Sequence, residues 1–414
     1  RGPGVVHGLG SADAGIAPGP GASIGRLLVS TLVRGSERSR VVPVHPPPTA
    51  GVFEPVFSVN RLVAPLVAMV DRVVPKADSV VVRSFPDVSD QARQTVRALE
   101  PTGVPVTFLV DDPGSPLLSG LGCRIRRARS LPGFWAYWRA RVVVHTHGVF
   151  GSCAGAPGKV FVNIWHGMPI KRLDADSDVG RFQTDLTIAT SEVHARHLAD
   201  TWALRDEQVA VVGLPRNDLL VGAPDAPAWL AQLARGRPLV FWLPTFRRSV
   251  TGQLRADGQD LGTVTQFAGA DLATVDALMG ELGAFCVIKP HPLSRVPEPV
   301  TMDNLAVVTT TSISQLGSSL YELLAHADLL VTDHSSVWVD FLLTGRPIVF
   351  AISDLSDYAD TRGFYFADVE ELLPGPLVTH VDQLGAAVAD LVAVYAARRA
   401  RLDAGPGDAL RDAG

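Results

Sequence analysis

The chain is poor in residues that mark several classes of protein. Its 414 residues include only three cysteines, Cys123, Cys153 and Cys286, and no Cys-x-x-Cys run. Neither a disulfide framework nor a cysteine-rich zinc site is therefore expected, and a reducing, cytosolic compartment is favoured. No apolar run approaches the roughly 20 residues that a membrane-spanning helix needs.

Two common nucleotide-binding motifs are also absent. The sequence contains no P-loop and no Gly-x-Gly-x-x-Gly run, which argues against a kinase-type ATPase and against a nicotinamide-dependent enzyme. The net charge of -5 argues against a nucleic-acid-binding protein whose whole surface is basic. The pairs His145/His147 and His194/His197 have metal-ligand spacing, but neither has a usual third ligand nearby in the sequence, so we predict no metal site.

Lysine is scarce, and its placement is informative. The chain uses arginine for most of its positive charge and contains only four lysines. Two of them, Lys171 and Lys289, fall inside short histidine-containing motifs, Trp165-His166-Gly167-Met168-Pro169-Ile170-Lys171 and Lys289-Pro290-His291-Pro292. This placement indicates that compact ammonium groups are needed at these positions.

Apolar and helical segments alternate along most of the chain. Residues 1–50 are rich in Gly, Pro, Ala and Ser, which predicts a disordered or loosely attached segment. Two alternating series follow, over 51–225 and 236–402, with a linker in the proline-containing stretch 222–238 and a tail over 403–414. Alternation of this kind predicts a parallel sheet in each series. We therefore expect an α/β protein of GT-B architecture, in which two Rossmann-like, doubly wound domains face each other across a cleft.

The elements are predicted as follows. Strands are expected at 79–82, 106–110, 141–144, 160–164, 186–189, 209–212, 239–243, 285–288, 329–331 and 348–350. Helices are expected at 89–99, from the possible caps Thr190-Ser191 to Trp202, and at 272–282, 318–326, 336–343 and 384–401.

His166 is the candidate general base. The motif Trp165-His166-Gly167 directly follows a predicted strand, and doubly wound folds bind their ligands at the carboxyl ends of strands. An imidazole with the ordinary pKa of about 6.5 can accept a hydroxyl proton at neutral pH. The alternative is a structural histidine bonded to a neighbouring carbonyl. Gly167 and Lys171 of the same motif are assigned to the acceptor side of the site.

The second series contributes the other candidate catalytic residue, His291. It lies between two prolines just after a predicted strand, so its loop should be rigid. We predict that His291 contacts the transferred phosphate or the leaving oxygen and that Lys289 supplies charge beside it, although this loop could be only a turn. Arg247 and Arg362 follow apparent strand ends and could each bind a diphosphate through two hydrogen bonds. The alternative is that they are isolated surface arginines, which are common.

A serine-containing run, Thr332-Asp333-His334-Ser335-Ser336, joins a predicted strand to a predicted helix. Free backbone N–H groups and hydroxyls at a helix amino terminus form an anion site, so we assign Asp333, Ser335 and Ser336 to donor or phosphate binding. Ser335 could alternatively be only an N-cap. Asp340, one turn later, could accept hydrogen bonds from ribose hydroxyls or be a solvated helix charge.

A further stretch, 123–141, is both basic and aromatic, as a helix on an anionic membrane leaflet needs to be. The alternative is a buried helix face with a solvated arginine rim, and nucleic acid finds no support elsewhere in the sequence. The residues concerned are Arg124, Arg126, Arg127, Arg129, Leu131, Phe134, Trp135, Tyr137, Trp138, Arg139 and Arg141.

Taken together, the motifs resemble those of the CDP-glycerol glycerophosphotransferase family, the teichoic acid glycerol phosphate primases and polymerases of Gram-positive walls. The resemblance covers residues 79–385, and His334 stands where the family usually has Tyr. It is carried by Trp165-His166-Gly167 with Lys171, Gly213-Leu214-Pro215-Arg216-Asn217-Asp218, Pro244-Thr245-Phe246-Arg247, Lys289-Pro290-His291-Pro292, Thr332-Asp333-His334-Ser335-Ser336, Arg362-Gly363-Phe364 and Pro374-Gly375-Pro376.

The resemblance implies a GT-B transferase with an acceptor-side domain over 51–225 and a nucleotide-donor domain over 236–402. It implies CDP-glycerol or a close relative as donor, release of CMP, and a polyprenyl-diphosphate-linked acceptor or growing poly(glycerol phosphate) chain. His166 matches the family's base and His291 its phosphate-contacting histidine. The implied enzyme is peripheral to the cytoplasmic face of the membrane.

Two alternatives remain open. A transferase using CDP-ribitol or another nucleotide-activated donor would carry the same motifs, and so would a catalytically silent membrane-associated binding protein. The residues demand no cofactor, although Mg²⁺ could assist transfer.

Overall fold

The computed structural model describes residues 58–150, 156–171, 184–222, 224–245, 261–291, 298–361, 363–366 and 368–403. The predicted amino-terminal segment 1–50, residues 404–414 of the predicted tail, and the predicted phosphate ligands Arg247 and Arg362 lie outside these described residues.

Within the described part of the chain, the strands form two seven-stranded sheets. We call the part built on the first sheet, β1–β7, the first lobe, and the part built on the second sheet, β8–β14, the second lobe. The strands are β1 (Ala77–Arg83), β2 (Val106–Val110), β3 (Arg124–Arg127), β4 (Ala140–His145), β5 (Val160–Asn163), β6 (Leu186–Ala189), β7 (Val209–Val211), β8 (Leu239–Leu243), β9 (Phe285–Ile288), β10 (Val300–Thr301), β11 (Leu305–Val307), β12 (Leu329–Thr332), β13 (Ile348–Ala351) and β14 (Leu377–Val378).

Both sheets have the strand order of a doubly wound fold. The first is ordered β3-β2-β1-β4-β5-β6-β7 and the second β10-β11-β9-β8-β12-β13-β14. All described pairs are parallel except β10 with β11. The order reverses between β1 and β4 and between β8 and β12, and such reversals place a crevice at the carboxyl ends of the strands. The predicted pair of Rossmann-like domains in a GT-B arrangement is confirmed.

The central strands are buried on both faces, which explains their nearly continuous apolar sequence. In β1, Val80 and Val82 pack in one core layer while Val81 packs in the layer on the opposite face of the sheet. In β8, Phe241 and Trp242 point to opposite layers in the same way. Full burial of such side chains stabilises the fold by about 1.5–3 kcal/mol each.

The described helices cover the two sheets. They are α1 (Ser58–Val73), α2 (Asp90–Leu99), α3 (Leu131–Arg139), α4 (Glu192–Trp202), α5 (Asp218–Val221), α6 (Ala228–Ala234), α7 (Leu272–Glu281), α8 (Thr310–Gln315), α9 (Leu320–Leu324), α10 (Val337–Phe341), α11 (Leu355–Thr361) and α12 (Val381–Asp403). Ser191 caps α4 by accepting a hydrogen bond from the His194 N–H, as its position predicted. None of the helices in the described ranges is long and apolar enough to cross a bilayer.

Two sequence predictions were wrong in detail. The proline-containing stretch 222–238 is not only a linker, because it contains α6, whose Leu230 is buried in the second-lobe core. The basic stretch 123–141 is not one helix: its arginine-rich first part is the strand β3, at the edge of the first sheet, and only the aromatic part forms α3. An edge strand contacts the core weakly, so three arginines in four residues are tolerated there and hide the strand pattern.

Candidate active site

The loop after β5 presents His166 at the mouth of the cleft. Asn163, the last residue of β5, accepts a hydrogen bond from the Trp165 N–H through its side-chain oxygen at 2.9 Å. Trp165 and Gly167 adopt positive φ angles of 47° and 146°. This sharp turn buries the Trp165 ring while leaving His166 exposed on the cleft wall.

The imidazole of His166 lies between two other rings. Its centroid is 3.9 Å from that of Trp165 and 4.4 Å from that of His147, and the two imidazoles are nearly parallel at 15°. His147 follows β4, so the carboxyl ends of two neighbouring strands position this stack. The stack fixes the plane of the His166 ring.

Both imidazoles are held in the neutral form. The His166 ring reaches the solvent of the cleft, but the surrounding protein desolvates it and lowers its pKa well below the ordinary value. Repulsion from a proton on His147, from the Arg216 charge and from a proton on His291 lowers it further. Burial, with a smaller contribution from His145, lowers the pKa of His147 to about 4. At neutral pH the His166 ring is therefore unprotonated, which is the form that a general base must have before it acts.

The second lobe presents Lys289 and His291 after β9. The Lys289 N–H donates to the Trp242 carbonyl at 3.0 Å, which extends the pairing of β9 with β8 up to the loop. Burial lowers the pKa of Lys289 to about 8, opposed by the Asp90 carboxylate of the first lobe. Burial and the charges of Lys171 and Lys289 lower the pKa of His291 to about 3, opposed by Asp333. Lysine charges from both lobes, Lys171 and Lys289, thus act on the His291 ring.

The serine-containing loop follows β12. Ser335 and Ser336 are half-buried at the start of α10, and the Ser336 side chain makes no capping hydrogen bond to this helix. The Ser335 hydroxyl is 3.5 Å from the Val337 N–H, a long contact that contributes little. The two serines thus lie where the carboxyl end of β12 meets the start of α10.

The two lobes meet at the Trp165-His166-Gly167 loop. A Cβ atom added to Gly167 would lie 3.0 Å from Nη2 of Arg216 and 3.1 Å from Oγ of Ser336. Lys171 forms a single antiparallel bridge with Phe364, and the Tyr365 N–H donates to the Ile170 carbonyl at 3.0 Å. The structure therefore brings Gly167 and Lys171 of the first lobe against the serine and Gly363-Phe364 motifs of the second.

Two predicted ligand residues have other partners. Both carboxylate oxygens of Asp333, which is buried, accept hydrogen bonds from the Thr245 N–H, at 3.1 and 2.9 Å, and one accepts from the Thr245 hydroxyl at 2.6 Å. Asp333 thus ties the loop after β12 to the loop after β8. A buried carboxylate with these bonds is an organiser of the loops and a poor phosphate ligand.

Asp340 lies in the contact between the lobes, not at an open ribose position. It is buried, and its oxygens accept hydrogen bonds from Arg216, Asn217 and Tyr321. The expected contact with ribose hydroxyls is thus replaced by contacts within the protein. The spacing from Ser336 could not reveal this, because two of the three partners come from residues more than 120 positions earlier in the chain.

His334 is also buried. Its ring stacks on Tyr358 at a centroid distance of 3.7 Å, and its Nε2 lies 3.4 Å from Oδ1 of Asp354. These contacts give the histidine a packing role at the position where a tyrosine was expected.

Sequence reasoning did not single out Gln91 and Tyr321, which lie near the site, and it considered His147 only as half of a metal-spaced pair. Arg216, which also lies at the site, belongs to the motif Gly213-Leu214-Pro215-Arg216-Asn217-Asp218 but was assigned no role from the sequence. Among the residues that the structure describes, no group of three or more His, Cys, Asp or Glu side chains could hold a metal ion.

The sequence matches a family model described as CDP-Glycerol:Poly(glycerophosphate) glycerophosphotransferase over residues 66–403. The teichoic acid ribitol-phosphate primase of Bacillus spizizenii is 27% identical over 226 residues, which cover 53% of this chain and 53% of the primase. The teichoic acid poly(glycerol phosphate) polymerase of Staphylococcus epidermidis is 25% identical over 273 residues, which cover 59% of this chain and 36% of the polymerase. The chain thus spans about half of one relative and about a third of the other.

The fold is similar to that of the wall teichoic acid polymerase TagF. The TM-score is 0.62 at 20% sequence identity, and the match covers 83% of this chain and 87% of the TagF chain. One of the similar TagF structures is a variant soaked with CDPG.

Proposed function

Because the chain belongs to the CDP-glycerol:poly(glycerophosphate) glycerophosphotransferase family, we propose that it transfers glycerol phosphate from CDP-glycerol to an acceptor hydroxyl and releases CMP. The acceptor would be a polyprenyl-diphosphate-linked glycan or a growing poly(glycerol phosphate) chain. The observation that carries this proposal is the contact of the His166 loop with the second lobe: a Cβ atom added to Gly167 would lie 3.1 Å from Oγ of Ser336, and Lys171 bridges to Phe364.

In the proposed reaction, His166 takes the proton from the acceptor hydroxyl as that oxygen attacks the β-phosphorus of the donor. A new P–O bond forms, and the bond to the bridging oxygen breaks, so that the electron pair leaves with CMP. Positive groups and hydrogen-bond donors that face the β-phosphate stabilise the charge that develops there. His291, Lys289 and the hydroxyls of Ser335 and Ser336 are suited to this task, and Arg247 and Arg362 are proposed to join them.

The low pKa of His166 fits this order of events. In the free enzyme the imidazole is a weak base, because desolvation and nearby cations disfavour its charged form. A bound diphosphate brings negative charge into the same cleft and favours the protonated imidazole. We therefore expect donor binding to raise the pKa of His166 and to make it a stronger base when the substrate is present.

CDP-ribitol is the second candidate donor, because relatives at similar identity include both ribitol-phosphate and glycerol-phosphate enzymes. The test is a donor panel of CDP-glycerol, CDP-ribitol and a nucleotide sugar, each with a lipid-diphosphate disaccharide acceptor. Nucleotide release would be followed together with product mass. The expected result is CMP release with CDP-glycerol alone. CMP release with CDP-ribitol alone would show that the transferred group is ribitol phosphate and not glycerol phosphate.

The same products distinguish a primase from a polymerase. One added unit indicates a primase and a ladder of masses indicates a polymerase. Absence of turnover with every donor, together with binding to anionic vesicles, would support the catalytically silent binding protein instead.

We also propose that the first lobe docks on the inner face of the membrane, where a polyprenyl-linked acceptor would lie. The Trp138 indole donates to the Val67 carbonyl at 3.1 Å, so α3 packs against α1. Each helix exposes an apolar row: Leu66, Met69 and Val73 on α1, and Leu131 and Trp135 on α3. Arg124, Arg126 and Arg127 are exposed on neighbouring β3. Exposed apolar residues beside arginines fit an anionic leaflet.

Flotation with vesicles tests this docking. The protein should bind vesicles containing phosphatidylglycerol and not vesicles of phosphatidylcholine alone, and Leu131→Ser with Trp135→Ser should weaken binding at least about tenfold because apolar area is lost. Leu316→Ser, at a residue 55% exposed on the second lobe, is the matched control and should bind normally. Equal loss in both variants would contradict the assignment of this face.

A further inference from the structure

Arg216 lies where the candidate base meets the second lobe. Its Nη1 donates to the His166 carbonyl at 2.7 Å. Its Nε and Nη2 donate to the same carboxylate oxygen of Asp340 at 3.1 and 2.5 Å. One guanidinium thus holds the backbone of the His166 loop and, at the same time, a helix of the opposite lobe.

The Asp340 end of this connection is rigid. The Tyr321 hydroxyl donates to the oxygen that Arg216 contacts, at 2.5 Å, and the Asn217 side chain donates to the other oxygen at 3.2 Å. The Arg216 guanidinium lies over the Tyr321 ring at 4.5 Å from its centroid. Asp340 is 1% exposed, so the attraction between the charges is weakly screened.

The His166 end is held at a second point by Gln91 of α2. The Gln91 amide donates to the Ile164 carbonyl at 2.6 Å and accepts a hydrogen bond from the Arg216 N–H at 3.3 Å. Gln91 belongs to the first lobe and holds the root of the loop from within that lobe. Arg216 connects the loop's tip, at His166, to Asp340.

We propose that Arg216 is a positioning residue that couples the placement of His166 to the approach of the two lobes. When the lobes are together, Asp340 orients the guanidinium so that Nη1 holds the His166 carbonyl; when they separate, that support is lost. The base is then in place only while the donor lobe is closed against it. This inference rests on the proposed role of His166 as the base.

The chemistry explains why arginine is needed here. The planar guanidinium directs Nε and Nη2 to the carboxylate and leaves Nη1 for the carbonyl, whereas a lysine ammonium is a point charge on a flexible stem. Arg216→Lys should therefore keep the positive charge and lose the geometry. Arg216→Gln should lose both.

The kinetic test compares these variants with Arg93→Gln. Arg93 also joins the lobes, through Glu322 at 3.0 Å, but the structure shows no contact between Arg93 and His166. We expect Arg216→Lys and Arg216→Gln to lower kcat about 100-fold with the Kd for CDP-glycerol changed by less than about threefold, since misplacing a reacting group by about 1 Å has effects of this size. Arg93→Gln should lower kcat far less.

A titration separates positioning from a general loss of structure. The Arg216 charge is one of the groups that lower the pKa of His166, so Arg216→Gln should raise that pKa and Arg216→Lys should change it less. The measurement is the NMR titration of the His166 ring, assigned with His166→Gln, and it needs no turnover. Arg93→Gln should leave the His166 titration in place.

Hydrogen exchange of the loop 164–168 completes the test. Exchange should quicken in both Arg216 variants and in Asp340→Asn, with the rest of the first sheet unchanged. The paired variant Arg216→Gln with Asp340→Asn avoids leaving a buried carboxylate unpaired, and it should show the same quickened loop. Unchanged loop exchange together with an unchanged His166 titration would overturn the proposal, and so would full kcat in Arg216→Lys.

Absence of turnover in the unmodified protein with every donor would instead overturn the proposed function. Hydrogen exchange and the His166 titration would still decide the role of Arg216 in that case.

Discussion

Replacing Gly167 by alanine tests the contact between the lobes at the proposed base. The backbone there has φ of 146°, a region that side chains other than glycine strongly avoid. The added methyl group would also lie 3.0 Å from Arg216 Nη2 and 3.1 Å from Ser336 Oγ, so one group from each lobe would have to move by a few tenths of an ångström.

The magnitude follows from these two effects. Backbone strain at such a residue amounts to about 1–3 kcal/mol, and we expect a loss of about 2–3 kcal/mol in the free energy of unfolding once the contacts are included. Gly345→Ala is the matched control, because Gly345 has φ of 62° and an added Cβ there meets no atom within 4 Å. Its loss should be about 1–2 kcal/mol, the strain of a left-handed residue alone.

The assay is urea unfolding of both variants, followed by initial rates of CMP release. Ser336→Ala removes one of the two obstructing atoms, so the combination of Gly167→Ala with Ser336→Ala should lose less stability than the sum of the single changes. If Gly167→Ala is no less stable than Gly345→Ala and keeps normal kcat, the contact between Gly167 and the second lobe has been placed wrongly.

Two further predictions concern the stability of the first lobe. Asp71 is 1% exposed and pairs with Lys159 at 2.5 Å and with Lys76 at 2.8 Å. Asp71→Asn removes the carboxylate that both buried ammonium groups pair with, so it should lower the free energy of unfolding, measured in urea titrations, by about 3–5 kcal/mol. Asp78→Asn breaks a pair with Arg141 in which the carboxylate is 79% exposed, so it should have little effect; equal losses would contradict this explanation. The pKa of His147 is about 4 in the folded protein and 6.5 ordinarily, so below pH 6.5 the unfolded chain binds a proton that the folded protein does not. The free energy of unfolding should therefore fall as the pH drops from 6.5 to 4, by at most about 3 kcal/mol for this group. His147→Phe should reduce that loss when unfolding is compared at pH 7 and pH 5; an unchanged loss would exclude His147 as its source.

The sheets could be predicted because buried parallel strands leave a direct record in the sequence. Each central strand is a short apolar run, and polar motifs follow at the carboxyl ends, as His166 follows β5 and His291 follows β9. Since these ends share one edge of each sheet, the candidate site could be assembled from the motifs before any coordinates were known.

Contacts between the lobes leave no such record. Arg216 and Asp340 are 124 positions apart, and their pairing depends on how two separately folded sheets approach each other. Asp340 therefore resembled a ribose ligand or a surface charge when judged from its spacing alone. Helix α1 was missed for a local reason, because Pro65 interrupts its pattern.

Hydroxyl activation by His166 is the central claim, and His166→Ala tests it most directly. The measurement is CMP release from CDP-glycerol with a lipid-diphosphate acceptor, made beside equilibrium binding of the donor. We predict that turnover is abolished while the Kd for CDP-glycerol stays within about threefold of the unmodified protein, because the proposed donor contacts belong to the second lobe. Retained turnover in His166→Ala would contradict the assignment of the base and, with it, the proposed reaction.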